Sequence, residues 1–269
     1  MKKTITLVAV LLVSMLTFAQ EKEQDTTRFK YKGKVITITE DDEIELSIGD
    51  KGGDEDDDSW DVNLWRGLEL GVNGYFTDNN FGINNDPNNV YLELDYGRSF
   101  MINMNLWEYN TGLGTEKVRF STGLGFRFNR YAFKSTNTSL TYNETEVFGA
   151  VDSTKSFDKN FLNATYISAP VYFTIMPGKD PDKSFHLSVG AIVNYRIGSR
   201  VKQKYVQQDR NQKDINRGHY HLNPFLLDAS ARIGVGDFTV FANYGLNSLF
   251  ESGKGPDYTP FSAGLSLNF

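Results

Sequence analysis

The side chains best placed for chemistry are three histidines and a set of recurring carboxylates. His186 stands two residues before Ser188 in an alternating segment, so both share one side of a strand. A His–Ser pair begins nucleophilic hydrolysis, in which a base activates the hydroxyl and an acid orients the base. The spacing supplies no third member, and His186 is expected to pack inside a lumen. His219 and His221, at i and i+2, could hold a metal with Asp214 as the nearest further ligand. The default expectation is surface residues with no special role. Glu69, Glu93, Asp95 and Asp228 share polar positions with Arg119, Arg127, Arg196 and Arg232. They could form a proton path, but mutual neutralisation is the simpler role for buried charges. The run Asp54-Glu55-Asp56-Asp57-Asp58 lacks the spaced ligands and central Gly of an EF-hand loop. There is no P-loop and no dinucleotide fingerprint. No catalytic, cofactor-binding or metal-binding residue is therefore expected, and no cofactor. With no cysteine, disulfides, Cys-ligated metals and a lipoprotein anchor are excluded.

The elements that must position these residues begin after an export address. In residues 1–19, Lys2 and Lys3 precede an apolar stretch from Leu7 to Leu16. Thr17-Phe18-Ala19 then puts small residues at −3 and −1, the pattern of a cleavable secretory signal peptide. Residues 20–65 form an acidic prelude, expected to be a largely flexible periplasmic segment. Eleven acids and one Lys lie between Glu40 and Asp58. Within the prelude, residues 33–38 and 43–48 alternate and could pair as a small hairpin. The formal charge of −6 argues against nucleic acid, which needs clustered Lys and Arg.

From residue 66 to 269 apolar residues recur at every second position. Leu68, Leu70, Val72 and Phe76 alternate with Glu69, Gly71, Asn73 and Tyr75. The same period runs through 92–106, 118–128, 166–175, 185–197, 227–234, 238–244 and 261–269. That makes eight strands, an even number. The connections run long and short in turn. The long ones are about 77–89, 133–160, 202–218 and 250–258; the short ones are 110–116, 177–183 and Val235-Gly236-Asp237. Outer-membrane barrels pair short periplasmic turns with longer external loops. Trp60, Trp65, Trp107 and Tyr109 then fall at the periplasmic end, where an interfacial girdle is expected. Mean hydropathy is −0.42, yet 14% of residues are aromatic and 24 are Gly. That combination suits a barrel in which only alternate residues meet lipid.

A soluble lipocalin-like barrel would reverse in and out, and alternation alone does not say which face is which. The polar rows mix both charge signs with Gly, Ser and Asn, which suits a narrow, self-filled interior. The expected fold is all-β: an eight-stranded up-and-down antiparallel transmembrane β-barrel with a short N-terminal periplasmic segment. The segments RGLELGVNGY, YLELDYGRSFMINMN, FSTGLGFRFNRYAF, YISAPVYFTI and NPFLLDASARIGVGDFTVFANYG resemble the PorT-like outer-membrane β-barrel proteins of Bacteroidetes. The resemblance covers about residues 66–269 and, more loosely, DTTRFKYKGKVITI before them. It implies outer-membrane location and an eight-stranded barrel, and no substrate. Some PorT proteins are linked to assembly of a secretion system, so an accessory role in a secretion or envelope complex is one expectation. The expected function is non-enzymatic, structural or interactive; the alternatives are a lipid-modifying enzyme and a small-solute channel. Expected partners are outer-membrane lipid and lipopolysaccharide, envelope proteins, and the barrel assembly machinery through the strand ending at Phe269. Exposed loops on rigid scaffolds often bind, so 133–160, the longest, is the first place to seek recognition. The other expectation for it is to fold back over the barrel mouth.

Overall fold

The structure, a computed structural model, describes residues 26–31, 34–40, 44–49, 63–77, 86–115, 117–178 and 184–268. The chain divides into two units, Met1–Ser59 and Trp60–Phe269. The signal-like segment 1–19, the run Asp54–Asp58, Trp60 and Phe269 lie outside the described residues.

In the first unit β1 (Thr26–Tyr31), β2 (Lys34–Glu40) and β3 (Ile44–Gly49) form an antiparallel sheet in that order. The expected hairpin is the β2–β3 pair, with Val35 opposite Gly49. A third strand, β1, pairs on the other side of β2. Three strands give a sheet more independent stability than two.

The second unit is a closed ring. Its strands are β4 (Gly67–Phe76), β5 (Phe100–Gly112), β6 (Val118–Ala132), β9 (Phe157–Ile175), β10 (Phe185–Gln207), β12 (Phe225–Val235), β13 (Phe238–Gly245) and β14 (Thr259–Asn268). Each pairs antiparallel with the next, and β14 returns to β4. A closed sheet has no edge to expose to lipid. Two further hairpins stand at the long-loop end. One is β7 (Thr138–Tyr142) with β8 (Val147–Val151); the other adds β11 (Arg210–Arg217) to the far end of β10. The long and short connections alternate as expected. In the tightest, Gly236 has φ 55°, the left-handed value that a two-residue hairpin with Gly first requires.

The structure decides which face is inside. Glu69, Asn103, Arg127, Ser168, Asn194, Asp228, Arg232 and Ser266 are buried in the bore. Leu70, Val72, Val171, Phe173, Val189, Val193, Leu227, Ile233, Val240 and Leu265 are exposed on the outside. So continuous an apolar exterior belongs in lipid. Leu68, Ile102 and Met104, grouped where β4 and β5 pair, are buried exceptions on that exterior.

Two expectations need correction. The segment 92–106 is not one strand. Residues 90–92 form a 3-10 turn, and β5 begins only at Phe100. Leu92 and Leu94 are therefore buried among the long connections rather than facing lipid. The second correction concerns polarity along the longest strands. A bulge between Arg196 and Gly198 shifts the register of β10 against β9. Beyond it Arg200 and Lys204 turn outward and are partly exposed, while Val201 faces inward and is buried. The lipid rule of polar inside and apolar outside gives way there to the water rule.

Candidate functional site

The bore is filled in three storeys. At the short-turn end, the backbone N–H groups of Leu64, Trp65 and Arg66 donate to the Glu108 carboxylate at 3.0, 2.9 and 2.7 Å. This collar turns the chain so that Trp65 enters the bore, where it packs with Tyr172 and Ile192. Asn105 Nδ2 donates to the Trp65 carbonyl at 2.9 Å. Gly123 and Gly125 make the room: a Cβ on either would stand 2.7 or 2.9 Å from the indole, closer than packed carbons approach. Trp65 is thus a plug and not part of the girdle. Trp107 and Tyr109 are about half exposed, at 52% and 53%, as girdle residues should be.

The middle storey is ionic. Glu69 on β4 pairs with Arg232 on β12, three strands away round the ring. Asn103 Nδ2 and Asn105 Nδ2 also donate to Glu69, at 2.6 and 2.9 Å. Arg232 donates to the Tyr172 hydroxyl at 3.2 Å, and that hydroxyl donates to Ser230 Oγ at 2.9 Å. The guanidinium lies 5.3 Å from the Tyr172 ring centroid and 5.6 Å from that of Phe241. One step nearer the long loops, Arg127 on β6 donates to Asp228 on β12 at 2.5 Å. Asn194 Nδ2 donates to the same carboxylate at 2.9 Å, and Ser168 Oγ donates to Asn194 Oδ1 at 2.6 Å. Both pairs are nearly inaccessible to solvent. Buried charges persist only when paired and hydrogen-bonded, and here each carboxylate has an Arg and at least one Asn.

Neutralisation across the lumen therefore holds for Glu69 and Asp228, but not for the other expected members. Because β5 starts late, Glu93 pairs with Lys134 at 2.6 Å outside the bore, and the Asp95 carboxylate accepts from the Gly97 N–H in a turn. Arg196 donates to Ser199 Oγ at 3.3 Å rather than to a carboxylate.

The third storey is an aromatic lid at the long-loop end. Tyr75 stacks on Tyr258 with ring centroids 4.7 Å apart, and Tyr131 lies 5.8 Å away. The Tyr75 hydroxyl donates to the Leu92 carbonyl. Leu94, Leu140, Val147, Leu222 and Phe250 join the same buried cluster, so every long connection contributes. The 133–160 connection does fold back over the mouth, through Leu140 and Val147. A cleft of about 230 Å³ beside the lid is lined by Asp86, Val90, Leu92, Glu93 and Tyr258 among others. Asp86 accepts from the Tyr258 hydroxyl and from Asn89 Nδ2, each at 2.8 Å. Burial pushes the Asp86 carboxyl up, but these hydrogen bonds outweigh it and hold it below its ordinary value. Burial and the Asp86 carboxylate push the Tyr258 hydroxyl well up.

The histidines fall in separate places. His186 is buried in the bore and shares a 2.8 Å hydrogen bond with Thr239 Oγ1. Ser188 instead shares one of 2.7 Å with Thr174. His219 and His221 lie in the loop after β11, with ring centroids 4.6 Å apart and Tyr142 against both. The His221 N–H donates to His219 Nδ1 at 3.0 Å, and His221 Nε2 donates to the Asn143 carbonyl at 2.7 Å. Asp214 is engaged elsewhere, by Lys155 at 3.2 Å and Tyr205 at 3.1 Å. Among the described residues no group of three or more His, Cys, Asp or Glu is arranged to hold a metal. Sequence reasoning missed the Trp65 plug and the shared aromatic cluster that the other long connections add to the lid. The lid's only sequence signal is the run of Tyr and Leu at the long-loop ends of strands.

A family model described as the outer membrane protein beta-barrel domain matches residues 57–251. The match spans the ring from β4 through β13. No curated protein and no solved structure matches the chain.

Proposed function

The chain belongs to the outer membrane protein beta-barrel domain family, and from that premise we propose a non-enzymatic barrel with a structural or interaction role. In this reading it is a PorT-like protein of Bacteroidetes type, accessory to a secretion or envelope complex. One observation carries the reading: the bore is filled by the protein's own side chains, while the hairpins at the long-loop end keep apolar residues exposed. Trp65, two crossing ion pairs and the lid occupy the three storeys. An eight-stranded barrel has an interior just wide enough for such filling, which supports a scaffold over a channel. The exposed Phe148, Val151, Val206 and Ile215 of the hairpins are the surfaces offered to envelope partners. Export by the signal peptide 1–19 and assembly through the strand ending at Phe269 complete the proposal.

Cross-linking in cells through residues of the β7–β8 hairpin, with the full-length chain, tests it. Envelope or secretion proteins should be captured, and capture of none defeats the interaction role. In liposomes the purified protein should show no conductance steps. Lipid A from a deletion strain should match the parent by mass spectrometry; a changed lipid A species would favour the enzyme. Because the chain has no native Cys, Thr145→Cys should react with an impermeant thiol reagent on intact cells. That labelling checks, by itself, that the long loops face outward.

A further inference from the structure

The upper end of the ionic storey holds more buried donors than acceptors. Strand register places Arg127 of β6 opposite Tyr166 of β9, and Tyr166 opposite Arg196 of β10. The three residues form one row across three neighbouring strands. They share the bore face with buried Ser168 and Asn194, two residues away on β9 and β10. Tyr166 and Arg127 are buried, at 0% and 3% exposure. Arg196, beside the bulge, is partly buried.

Hydrogen bonding leaves this row incomplete. Arg127 spends Nη1 on Asp228, but its Nε and Nη2 are buried with no acceptor. Arg196 spends Nη1 on Ser199 Oγ at 3.3 Å, and its Nε is likewise buried without one. The Tyr166 hydroxyl is buried and has no hydrogen-bond partner. A buried donor without an acceptor is destabilising, and folded proteins satisfy such groups with water or an ion. Charge decides between the two. Asp228 neutralises Arg127, while Arg196 has no carboxylate partner among the described residues. The row therefore carries one positive charge in excess. A water brings no charge, and its own hydrogens would need acceptors that the row lacks. An anion accepts from all of these donors and balances the excess. Both guanidinium charges act on the Tyr166 hydroxyl, as they must if the three groups are to share one ligand.

We propose that Arg127, Tyr166 and Arg196 bind a single monoatomic anion, a chloride, where the ionic storey meets the lid. An eight-stranded barrel is just wide enough for its own side chains, so a larger anion has no room beside them. The surroundings are apolar: Tyr166 shares its buried cluster with Leu162, Ala164 and Leu226. Such a site favours a weakly hydrated halide over a strongly hydrated anion. The partial exposure of Arg196 gives the ion its way in. Once bound, the ion ties the two storeys together, because Tyr166 belongs to the lid cluster and Arg127 to the ion pair beneath it.

The test uses the full-length protein, folded in detergent, and follows the melting temperature of the heat-modifiable band. Sodium gluconate is replaced stepwise by sodium chloride or sodium bromide at constant ionic strength. Both halides should raise the melting temperature by at least about 5 °C and the rise should saturate. Arg196→Gln should abolish the rise. Tyr166→Phe, which removes one oxygen atom, should increase the half-saturating chloride concentration about tenfold. Arg98→Gln removes an exposed cation whose side chain donates to the Asp158 carbonyl, and it should respond as the parent does. If Arg196→Gln does not fold, the Tyr166→Phe shift carries the test. Crystals grown in sodium bromide should show an anomalous bromine peak between the two guanidinium groups and the Tyr166 hydroxyl. A melting temperature indifferent to the exchange overturns the site. So does a parent-like response in either folded variant of the row, or a row without bromine.

Discussion

On one side of the bulge at Arg196 and Gly198, the wall buries Ser188 and Asn194 and exposes Val189 and Val193. On the other side it buries Val201 and Tyr205 and turns Arg200 and Lys204 outward. β6 makes the same change without a bulge against β9, from buried Arg127 to buried Tyr131. One continuous sheet thus carries two cores, an ionic one within the membrane and an aromatic one above it. The solvent outside sets each. Lipid rewards an apolar exterior and leaves polar residues to pair inside. Water rewards the reverse, through apolar burial of about 25 cal/mol per Å².

Breaking the ionic core should have the largest effect. Arg232→Met leaves Glu69 buried without its cation and should cost about 3–5 kcal/mol, read as a lower urea midpoint of the heat-modifiable band. Adding Glu69→Gln should recover most of that loss, because the stranded charge goes too. A double mutant no better than the single would show that the pair is not the coupled unit.

The lid should fail separately. Leu222→Ala opens a cavity in the aromatic cluster at about 2–5 kcal/mol. External protease should then cut the long loops while the barrel stays resistant. Simultaneous loss of both would mean that the two cores are one cooperative unit.

The two exteriors can be exchanged residue by residue on β10. Val193→Arg faces the hydrocarbon and should cost about 2–4 kcal/mol in lipid. Val206→Arg, exposed on the other side of the bulge, should change stability by less than about 0.5 kcal/mol. Equal costs would remove the boundary drawn at the bulge.

The smallest effects come from pH, and they belong to the loops. Burial, then His221 and Arg196, hold His219 below its ordinary value of 6.5. The folded state therefore prefers neutral His219. That contribution is fully present above pH 6.5 and is lost as pH falls through the lowered folded value. Asp86 contributes in the same direction at more acid pH: present above its ordinary 3.8, and lost as pH falls through its lowered value. Loop proteolysis should rise as pH drops below 6.5, and His219→Gln should remove that first step. A profile unchanged by the substitution would exclude His219 as its source.

Much of this plan was legible in the residues. Alternation located every ring strand, because a period of two survives whichever side faces water. Connection lengths placed the ends, since turns and loops differ in size whatever the packing. Glu69 and Asp228 with Arg127 and Arg232 were recognisable as lumen charges from their polar rows. Their pairing was not, because partners three strands apart meet only when the ring closes. Glu93 and Asp95 were misplaced for a local reason: Leu92, Leu94 and Tyr96 keep the period of β5 without joining it. Trp65 looked like a girdle residue because nothing local reveals the Glu108 collar that turns it inward.

The sequence by itself determined a closed, alternating, aromatic-rich barrel with its short turns at one end, since period, loop length and composition are local properties. Tertiary structure decided which face looks inward, where that choice reverses along β10, and which charges meet across the bore. Those depend on ring closure and on register between distant strands, which bring together residues as far apart as Glu69 and Arg232.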